Sequence, residues 1–405
     1  MILHDVLDKF RKDQLLDIGD VLGFELSPRM KRASMVTELS GYIHKEPGRW
    51  LSHLSERDIH LLRDLVKAGP ERVRYHDYAP YPSVVEITGI VQSDNTEQKY
   101  SKLWITREVF DIISPEIESA INKAECLGQY ELEKVALGYL NLYGMLPTHT
   151  LMDLLFAWPM STKVESKEKP ILNFIEHSPI VSLCRFEDRW GDNMVSPCIE
   201  NEDEMFSLRE GFKAPSRQKK FSSAQVLEAG SGAPFFSVAM DTPEGIALES
   251  VYRRVGYKGL DLKRAIFDTW VESQYTAMSN PALFDPLYDA PNASSIPDPV
   301  WEELCMAVCD YADSVPKWCL HGRSAREANQ CFCDRQAWAE PEAFQEPETA
   351  DYPRWRMPEP TVSKGYGAET SDFSIGLAIP HVAPDDPCPC GSGLRYCRCH
   401  GKYLS

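Results

Sequence analysis

The chain contains no run of about twenty apolar residues, the length that a membrane-spanning helix requires. Its first residues, Met1 to Arg11, carry a charge every few positions and include neither an apolar segment nor a cleavage site typical of a secretory signal. We therefore expect a protein without a membrane span that resides in the cytoplasm. In that reducing compartment a disulfide framework is not expected.

Positively charged residues are also fewer than negatively charged ones. The chain has 43 Lys and Arg residues against 61 Asp and Glu residues, and its formal net charge is −18. This balance argues against broad, non-specific binding of phosphate groups by the whole surface, but it leaves room for a local basic face. A candidate nucleic-acid patch in the N-terminal segment consists of Arg29, Lys31, Arg32, Lys45, Arg49 and Trp50. The solvated face of a helical bundle explains these residues equally well.

Common catalytic signatures are missing as well. No Gly-x-x-x-x-Gly-Lys-Ser/Thr loop is present, which excludes a nucleotide-driven motor of that type. Neither His-Glu-x-x-His nor Gly-x-Ser-x-Gly occurs. The glycine-containing stretch 229–234 has no following lysine and is predicted to be a turn. We expect no enzyme of a recognised type; an unrecognised one would need a polar pocket between 160 and 330.

What the chain does have is the composition of a globular protein, with 43% hydrophobic and 26% charged residues. Its 405 residues predict roughly two to four domains. The predicted class is α+β: a mainly helical multi-domain body with small β-hairpins, an acidic Pro-rich linker and a C-terminal zinc knuckle. The predicted units are a helical domain at 1–70, a winged-helix-like unit at 71–160, a mixed α/β to helical domain at 161–335, the linker at 336–386 and the zinc-binding motif at 387–405. In the first unit, Leu15 to Ile18 and Met30 to Leu39 resemble the SAP-like or Rho-N-like helical pair.

The helical prediction rests on apolar residues at helical spacing and on their boundary residues. Ser55 followed by Asp58 indicates the capped start of a helix, and Gly69 ends it. Gly144 ends another apolar helical stretch. Further helices are predicted at 135–144, 150–156, 262–274 and 300–315, with one more starting near 221.

Strands are predicted where β-branched residues cluster. Residues 84–91 and 103–106, with a polar turn at 93–97 between them, predict a hairpin. Residues 180–186 predict another strand. The helices that follow this hairpin favour the winged-helix-like unit that is predicted at 71–160. From 339 to 386, prolines and acidic residues dominate, and too little apolar surface is present to offset the entropy of ordering, which predicts a mostly disordered or extended linker.

Twelve cysteines are many for a cytoplasmic chain, and metal binding explains them where their spacing supports it. Cys388 and Cys390 are separated by one residue, and Cys399 and His400 are adjacent. Three thiolates and one imidazole make a closed tetrahedral set for zinc. Because all four ligands come from the protein, no position stays open for a substrate. The predicted cofactor is therefore one structural Zn²⁺.

The residues between the two pairs must turn the chain back on itself. Gly391-Ser392-Gly393 allows this turn, because glycine adopts positive φ at little cost. Pro387 and Pro389 hold the first pair extended. A segment this short cannot build a hydrophobic core, so zinc ligation would supply its folding free energy, on the order of 10 kcal/mol or more. The alternative is a redox-sensitive cysteine-rich tail without metal.

The run from Pro387 to Gly401 combines Cys-x-Cys, Gly-Ser-Gly, a tyrosine and a Cys-His pair. It resembles the SEC-C motif, the C-terminal zinc module of the bacterial translocase motor SecA. The resemblance implies a protein of bacterial type whose zinc ligands are Cys388, Cys390, Cys399 and His400. In that family the module is a docking patch on a flexible linker and engages the chaperone SecB and ribosomes or phospholipid.

This sequence departs from the family pattern at two positions. Cys397 stands where the family usually has a residue that does not bind zinc, so it is a possible alternative ligand to Cys399. Leu394 stands at a commonly basic position, and the missing charge would weaken docking onto an acidic partner. The residues expected to contact the partner are Arg395, Tyr396, Arg398 and Lys402.

Two segments of the body are similar to recurrent pieces of bacterial SEC-C proteins. Residues 315–327 resemble a Trp-x-x-x-Gly segment that precedes the linker, and Asn141 to Gly144 resemble a second piece. These resemblances imply a bacterial or phage origin more than they indicate a catalysed reaction.

The remaining cysteines have two interpretations. A second metal site is conceivable from Cys305, Cys309, Cys319, His321, Cys331 and Cys333. The i, i+4 spacing of Cys305 and Cys309 in an apolar helix instead favours buried structural cysteines. The isolated cysteines, which we expect to be buried as small hydrophobic residues, are Cys126, Cys184 and Cys198.

These observations favour an adaptor that docks on another protein or on the ribosome through its C-terminal zinc module. The alternative is a regulatory nucleic-acid-binding protein that uses the N-terminal helices and the winged-helix-like unit.

Replacing Cys388 and Cys390 by Ser removes two of the four predicted ligands. We expect the Cys388→Ser/Cys390→Ser chain to lose one equivalent of zinc in elemental analysis while the body keeps its far-ultraviolet circular dichroism, because the ligands lie outside the body. Full zinc retention in the double variant would show the assignment to be wrong.

Overall fold

The computed structural model describes residues 3–75, 83–94, 102–160, 168–188, 191–211, 218–275 and 281–328. Within these ranges the chain is mainly helical and contains two small three-stranded sheets. This confirms the predicted α+β class with a mainly helical body. The predicted linker at 336–386 and the predicted zinc-binding motif at 387–405 lie outside the described residues.

The first part of the chain builds one hydrophobic core from Leu3 to Tyr130. Its helices are α1 Leu3–Leu7, α2 Lys12–Val21, α3 Arg32–Lys45, α4 Pro47–Leu51, α5 Glu56–Ala68, α6 Val84–Ile87, α7 Arg107–Ile113 and α8 Ile117–Cys126. Its strands are β1 Arg74–Tyr75, β2 Val91–Asp94 and β3 Lys102–Ile105. All pairings are antiparallel, with β3 between β1 and β2. The predicted hairpin therefore shares its core with the N-terminal helices.

The second part builds a larger core from Leu132 to Ala325. Its helices are α9 Gln129–Tyr143, α10 Thr148–Ala157, α11 Glu168–His177, α12 Pro179–Cys184, α13 Glu202–Gly211, α14 Ser223–Ser231, α15 Ser237–Met240, α16 Pro243–Arg254, α17 Gly259–Tyr275, α18 Asp285–Tyr288 and α19 Asp298–Ser314. Short 3-10 helices lie at Pro281–Phe284 and Ala293–Ser295. Strand β6 Gly191–Val195 pairs antiparallel with β4 Met145–Pro147 and β5 Arg185–Asp188.

The predicted helix boundaries are confirmed where a capping residue or a glycine marks them. The Ser55 hydroxyl accepts a hydrogen bond from Asp58 N at 3.0 Å and caps α5. Gly69 follows this helix with φ +94°, and Gly144 follows α9 with φ +76°. A side chain at either position would be strained, so these glycines end the helices for a backbone reason.

Two predicted strands are wrong over most of their length. Residues 84–87 form helix α6, and the strand begins only at Val91. Gly89, at φ +72°, breaks the extended run, and the Thr88 hydroxyl donates to Val85 O at 2.8 Å. Residues 180–184 belong to α12, which starts at Pro179, a favourable first helical residue, and β5 begins at Arg185. Short apolar runs have no period that separates strand from helix.

Helices α9 and α14 approach each other backbone to backbone. A Cβ atom added at Gly138 would overlap Val226 O, and one added at Gly230 would overlap Lys134 O. Both positions thus need glycine because the facing main chain occupies the space. The contact between these two helices fixes the centre of the second core.

Gly138→Ala tests this contact. We expect it to lower the free energy of unfolding by roughly 1–3 kcal/mol, because the methyl group must displace the α14 main chain. Gly41→Ala in α3 is the matched control, since nothing lies within 4 Å of the added Cβ. The control should raise stability by about 0.5–1 kcal/mol through better helix propensity. Equal effects of the two substitutions in urea denaturation would contradict the close approach.

Candidate functional site

The predicted zinc site lies in the C-terminal segment. Its ligands Cys388, Cys390, Cys399 and His400 fall outside the described residues, and so does the alternative ligand Cys397. The predicted docking residues Arg395, Tyr396, Arg398 and Lys402 fall there too. Their arrangement stays a prediction.

The cysteines of the second core are packed as apolar residues. Cys305 and Cys309 are fully buried in α19, and Cys319 is buried after it. Burial raises the pKa of Cys305 to about 12 and that of Cys319 to about 11, so both thiols are protonated and pack as small apolar groups. Across the described ranges no group of three or more His, Cys, Asp or Glu residues could hold a metal ion. Cys331 and Cys333 lie outside these ranges.

The isolated cysteines divide into two kinds. Cys184 and Cys198 are buried, which confirms the prediction for them. Cys126 is exposed, so the prediction is wrong there. Helix α8 buries its other face through Ile117, Ala120, Ile121 and Ala124, and Cys126 does not lie on it.

Three of the six residues of the basic patch in the N-terminal helices are buried or ion-paired within the protein. Trp50 is fully buried and donates from its indole to Ile43 O at 3.1 Å, so it cannot stack on a base. Arg32 is ion-paired with Asp8 at 3.1 Å. Arg49 and Glu46 pair at 3.2 Å. The exposed cations that are left are Arg29, Lys31 and Lys45. This geometry favours the interpretation as a solvated helix face.

The two body segments that resemble recurrent pieces of SEC-C proteins meet in the second core. Trp318 is fully buried, and its indole donates to Asn141 O at 2.9 Å. A Cβ atom added at Gly144 would overlap the Cβ of Trp318. The missing side chain of Gly144 thus makes room for Trp318. We call this contact the Trp318 junction.

Polar groups around the Trp318 junction have partners. The Asn141 side chain donates to Ala229 O at 2.8 Å and accepts from the Ser196 hydroxyl at 3.0 Å. Lys317 is fully buried, and its ammonium group donates to Ser273 O at 2.5 Å. These buried hydrogen bonds favour one packing arrangement, so we interpret the junction as a structural feature.

A second polar cluster joins the two cores. Glu133 of α9 is 5% exposed, and its carboxyl oxygen accepts from Glu56 N, at the start of α5, at 3.1 Å. Lys134 pairs with the Glu56 carboxylate at 2.7 Å. Nearby, the buried Asp58 accepts from the hydroxyls of Ser55 and Ser83, each at 2.5 Å.

Burial dominates the electrostatics of this cluster. It raises the pKa of Glu133 to about 8; Asp58 and Glu56 add to the rise, while the Glu56 amide and Lys134 oppose it. Burial also raises the pKa of Glu86 to about 7. Both carboxyl groups therefore hold a proton over much of the neutral range. In the sequence, Glu133 stands out only as a glutamate within an apolar helical stretch. Its partners in α5 lie 75 or more residues away in the chain, so no local pattern indicates them.

The described ranges contain no helix with the length and apolar character needed to cross a bilayer. No protein-family model and no solved structure matches the chain. Short stretches are similar to protein translocase subunit SecA. The identity is 56% over 36 residues for Paraburkholderia phymatum, 59% over 30 residues for Polaromonas sp. and 37% over 62 residues for Burkholderia lata.

These stretches cover 9%, 7% and 13% of this chain, respectively. They cover 4%, 3% and 7% of the SecA chains. The chain thus contains a SecA-related segment and spans only a small part of the length of the SecA proteins it matches.

Glu133→Gln tests the cluster through pH. The pKa of Glu133 is raised on folding. Its contribution to the free energy of unfolding is therefore largest at low pH and is lost as the pH rises from about 4.3 to about 8. The neutral glutamine cannot ionise, and we expect it to be more stable than the parent by about 1–3 kcal/mol at pH 8.5 in urea denaturation, with a smaller difference at pH 5.

Glu118→Gln, on the exposed face of α8, is the control and should change stability little at either pH. A Glu133→Gln chain that parallels the parent from pH 5 to 8.5 would contradict the assignment.

Proposed function

We propose that the chain is a zinc-dependent adaptor of bacterial type, in which residues 387–405 form a SEC-C-type module that docks on another protein or on the ribosome. One observation carries the proposal: the chain contains a SecA-related segment, and its C-terminal residues have the Cys-x-Cys and Cys-His pattern of that module. We do not propose the activity of SecA for this chain, because the matched stretches cover at most 7% of the length of these SecA proteins.

The donor set fits zinc. Three thiols and one imidazole are soft and borderline ligands that suit tetrahedral Zn²⁺. Cys388, Cys390, Cys399 and His400 would hold the ion, with Cys397 as the alternative to Cys399. Zinc would fold the segment and thereby fix Arg395, Tyr396, Arg398 and Lys402 as one docking surface.

The body supports a carrier role by its chemistry. Five of the six cysteines in the described ranges are buried, Cys126 being exposed, and these ranges offer no rival cluster of metal ligands. With a net charge of −18, the chain repels other acidic surfaces, so the few cations of the C-terminal segment would direct docking. We place this activity in the cytoplasm.

The test compares three chains as bait in a pull-down from a bacterial lysate with zinc present. The intact chain should retain a defined set of proteins, ribosomal proteins among them if the ribosome is the partner. That set should be lost from a chain ending at Asp386 and from Arg395→Ala/Arg398→Ala/Lys402→Ala. Capture of the same set by the shortened chain would contradict the proposal.

A matched triple variant controls for the loss of positive charge. Arg29→Ala/Lys31→Ala/Lys45→Ala removes three exposed cations of the N-terminal helices and should leave the captured set unchanged. If instead this variant loses the set and nuclease treatment does the same, the nucleic-acid alternative is favoured.

A further inference from the structure

Tyr288 is the most exposed aromatic side chain in the described part of the chain, with 54% of its surface accessible. It belongs to α18 and contacts Trp301 of α19, with the two ring centroids 5.3 Å apart and the ring planes inclined by 37°. Trp301 is half-buried and packs against the second core. The contact thus fixes an aromatic surface to the body while leaving one ring largely in water.

Two acidic side chains lie beside this aromatic pair. Asp298 precedes Trp301 by one helical turn in α19, Glu302 follows it directly, and both acids are exposed. Residues three and four positions apart are neighbours on a helix surface, so Asp298 adjoins both Trp301 and Glu302. Within the described ranges neither acid has an ion-pair partner. We call the surface of Tyr288, Trp301, Asp298 and Glu302 the Tyr288 face.

The chemistry of this face fits a basic segment. Aromatic rings attract ammonium and guanidinium groups, and carboxylates pair with the same cations. Two like charges four residues apart on a helix repel each other, and a bound cation relieves this repulsion. The next acid of α19, Glu303, already pairs with Arg254 at 3.1 Å. The acidic Pro-rich residues 339–386 are disfavoured here, because they carry charge of the same sign.

The chain itself contains a basic segment. Residues 387–405 have no acidic residue, although the whole chain has a net charge of −18. They carry the three cations Arg395, Arg398 and Lys402. This segment and the Tyr288 face are therefore complementary in charge.

The length of chain between the two allows them to meet. Residues 329–386 span up to about 200 Å when extended, far more than the few tens of ångströms across a folded body of this size. Because the segment belongs to the same chain, its effective concentration at the face is of roughly millimolar order, and a weak contact is enough to keep it bound.

We propose that residues 387–405 dock on the Tyr288 face of their own chain, with arginine and lysine side chains over Tyr288 and Trp301 and paired with Asp298 and Glu302. The docked segment uses the same cations that contact the partner in the proposed function, so the body and the partner compete for them. This competition rests on the proposed function, whereas the docking contact does not.

Carbodiimide cross-linking of the full chain with zinc present tests the contact, since it joins a carboxylate to an amine only where the two touch. We expect Lys402 to be linked to Asp298 or Glu302 within one copy, as judged from a mixture of isotopically labelled and unlabelled chains. The yield should fall as salt is added. Links only between copies, or equally frequent links to the exposed Asp111 and Glu118 of the first core, would overturn the proposal.

Tyr288→Ala keeps both carboxylates and removes the exposed ring. We expect it to lower the yield of the Lys402 links about two- to fivefold, because the cation–π contribution is lost. Phe156→Ala is the matched control, since Phe156 is also an exposed aromatic residue, in α10, and its loss should leave the yield unchanged. An unchanged yield in a folded Tyr288→Ala chain would overturn the proposal.

A pull-down tests the competition. Asp298→Lys/Glu302→Lys should release the segment and raise the capture of partner proteins about twofold or more over the parent chain, because like charges repel. Asp111→Lys/Glu118→Lys makes the same change of charge on the first core and should capture as much as the parent. Equal capture by the two double variants would overturn the competition. If no chain retains partners, the proposed function fails, while the cross-links still decide the docking contact.

Discussion

The buried hydrogen bond from the Trp318 indole to Asn141 O is the constraint on which the second core depends. It joins residues that are 177 positions apart in the sequence. Closing so long a loop costs conformational entropy, and local structure alone does not offset this cost. Trp318 offsets this entropy cost because its large aromatic surface is removed from water in the space that Gly144 leaves open. Asn141 extends the contact to α14, and Lys317 extends it to α17.

Helix α9 connects this contact to the rest of the molecule. Its C-terminal end receives Trp318, its middle touches the α14 main chain at Gly138, and near its N-terminal end Glu133 meets the start of α5. Helix α9 thus contributes to the coupling of the two cores, and burial raises the pKa of Glu133 at this contact.

Sequence reasoning predicted the features whose cause is local. The cap at Ser55 and the glycines at 69 and 144 act within one turn of chain, and they were identified from a few residues each. The strand predicted at 84–91 was wrong over 84–87, because so short an apolar run carries no period that separates strand from helix. The similarity of 315–327 and 141–144 to recurrent pieces was noted, but their contact was not. Neither that contact nor the pairing of Glu133 with Glu56 leaves any trace in local pattern.

The position of the Trp318 junction near the C-terminal end of the second core has a mechanical consequence. A partner that holds the chain beyond this point pulls on the body through Arg326, which is ion-paired with Glu244 and Asp310, and then through the loop that carries Trp318. Surface ion pairs yield first, whereas extracting a fully buried indole opens the second core. A pull on the chain that follows Trp318 would therefore open the second core only at a force that draws the buried indole out of it.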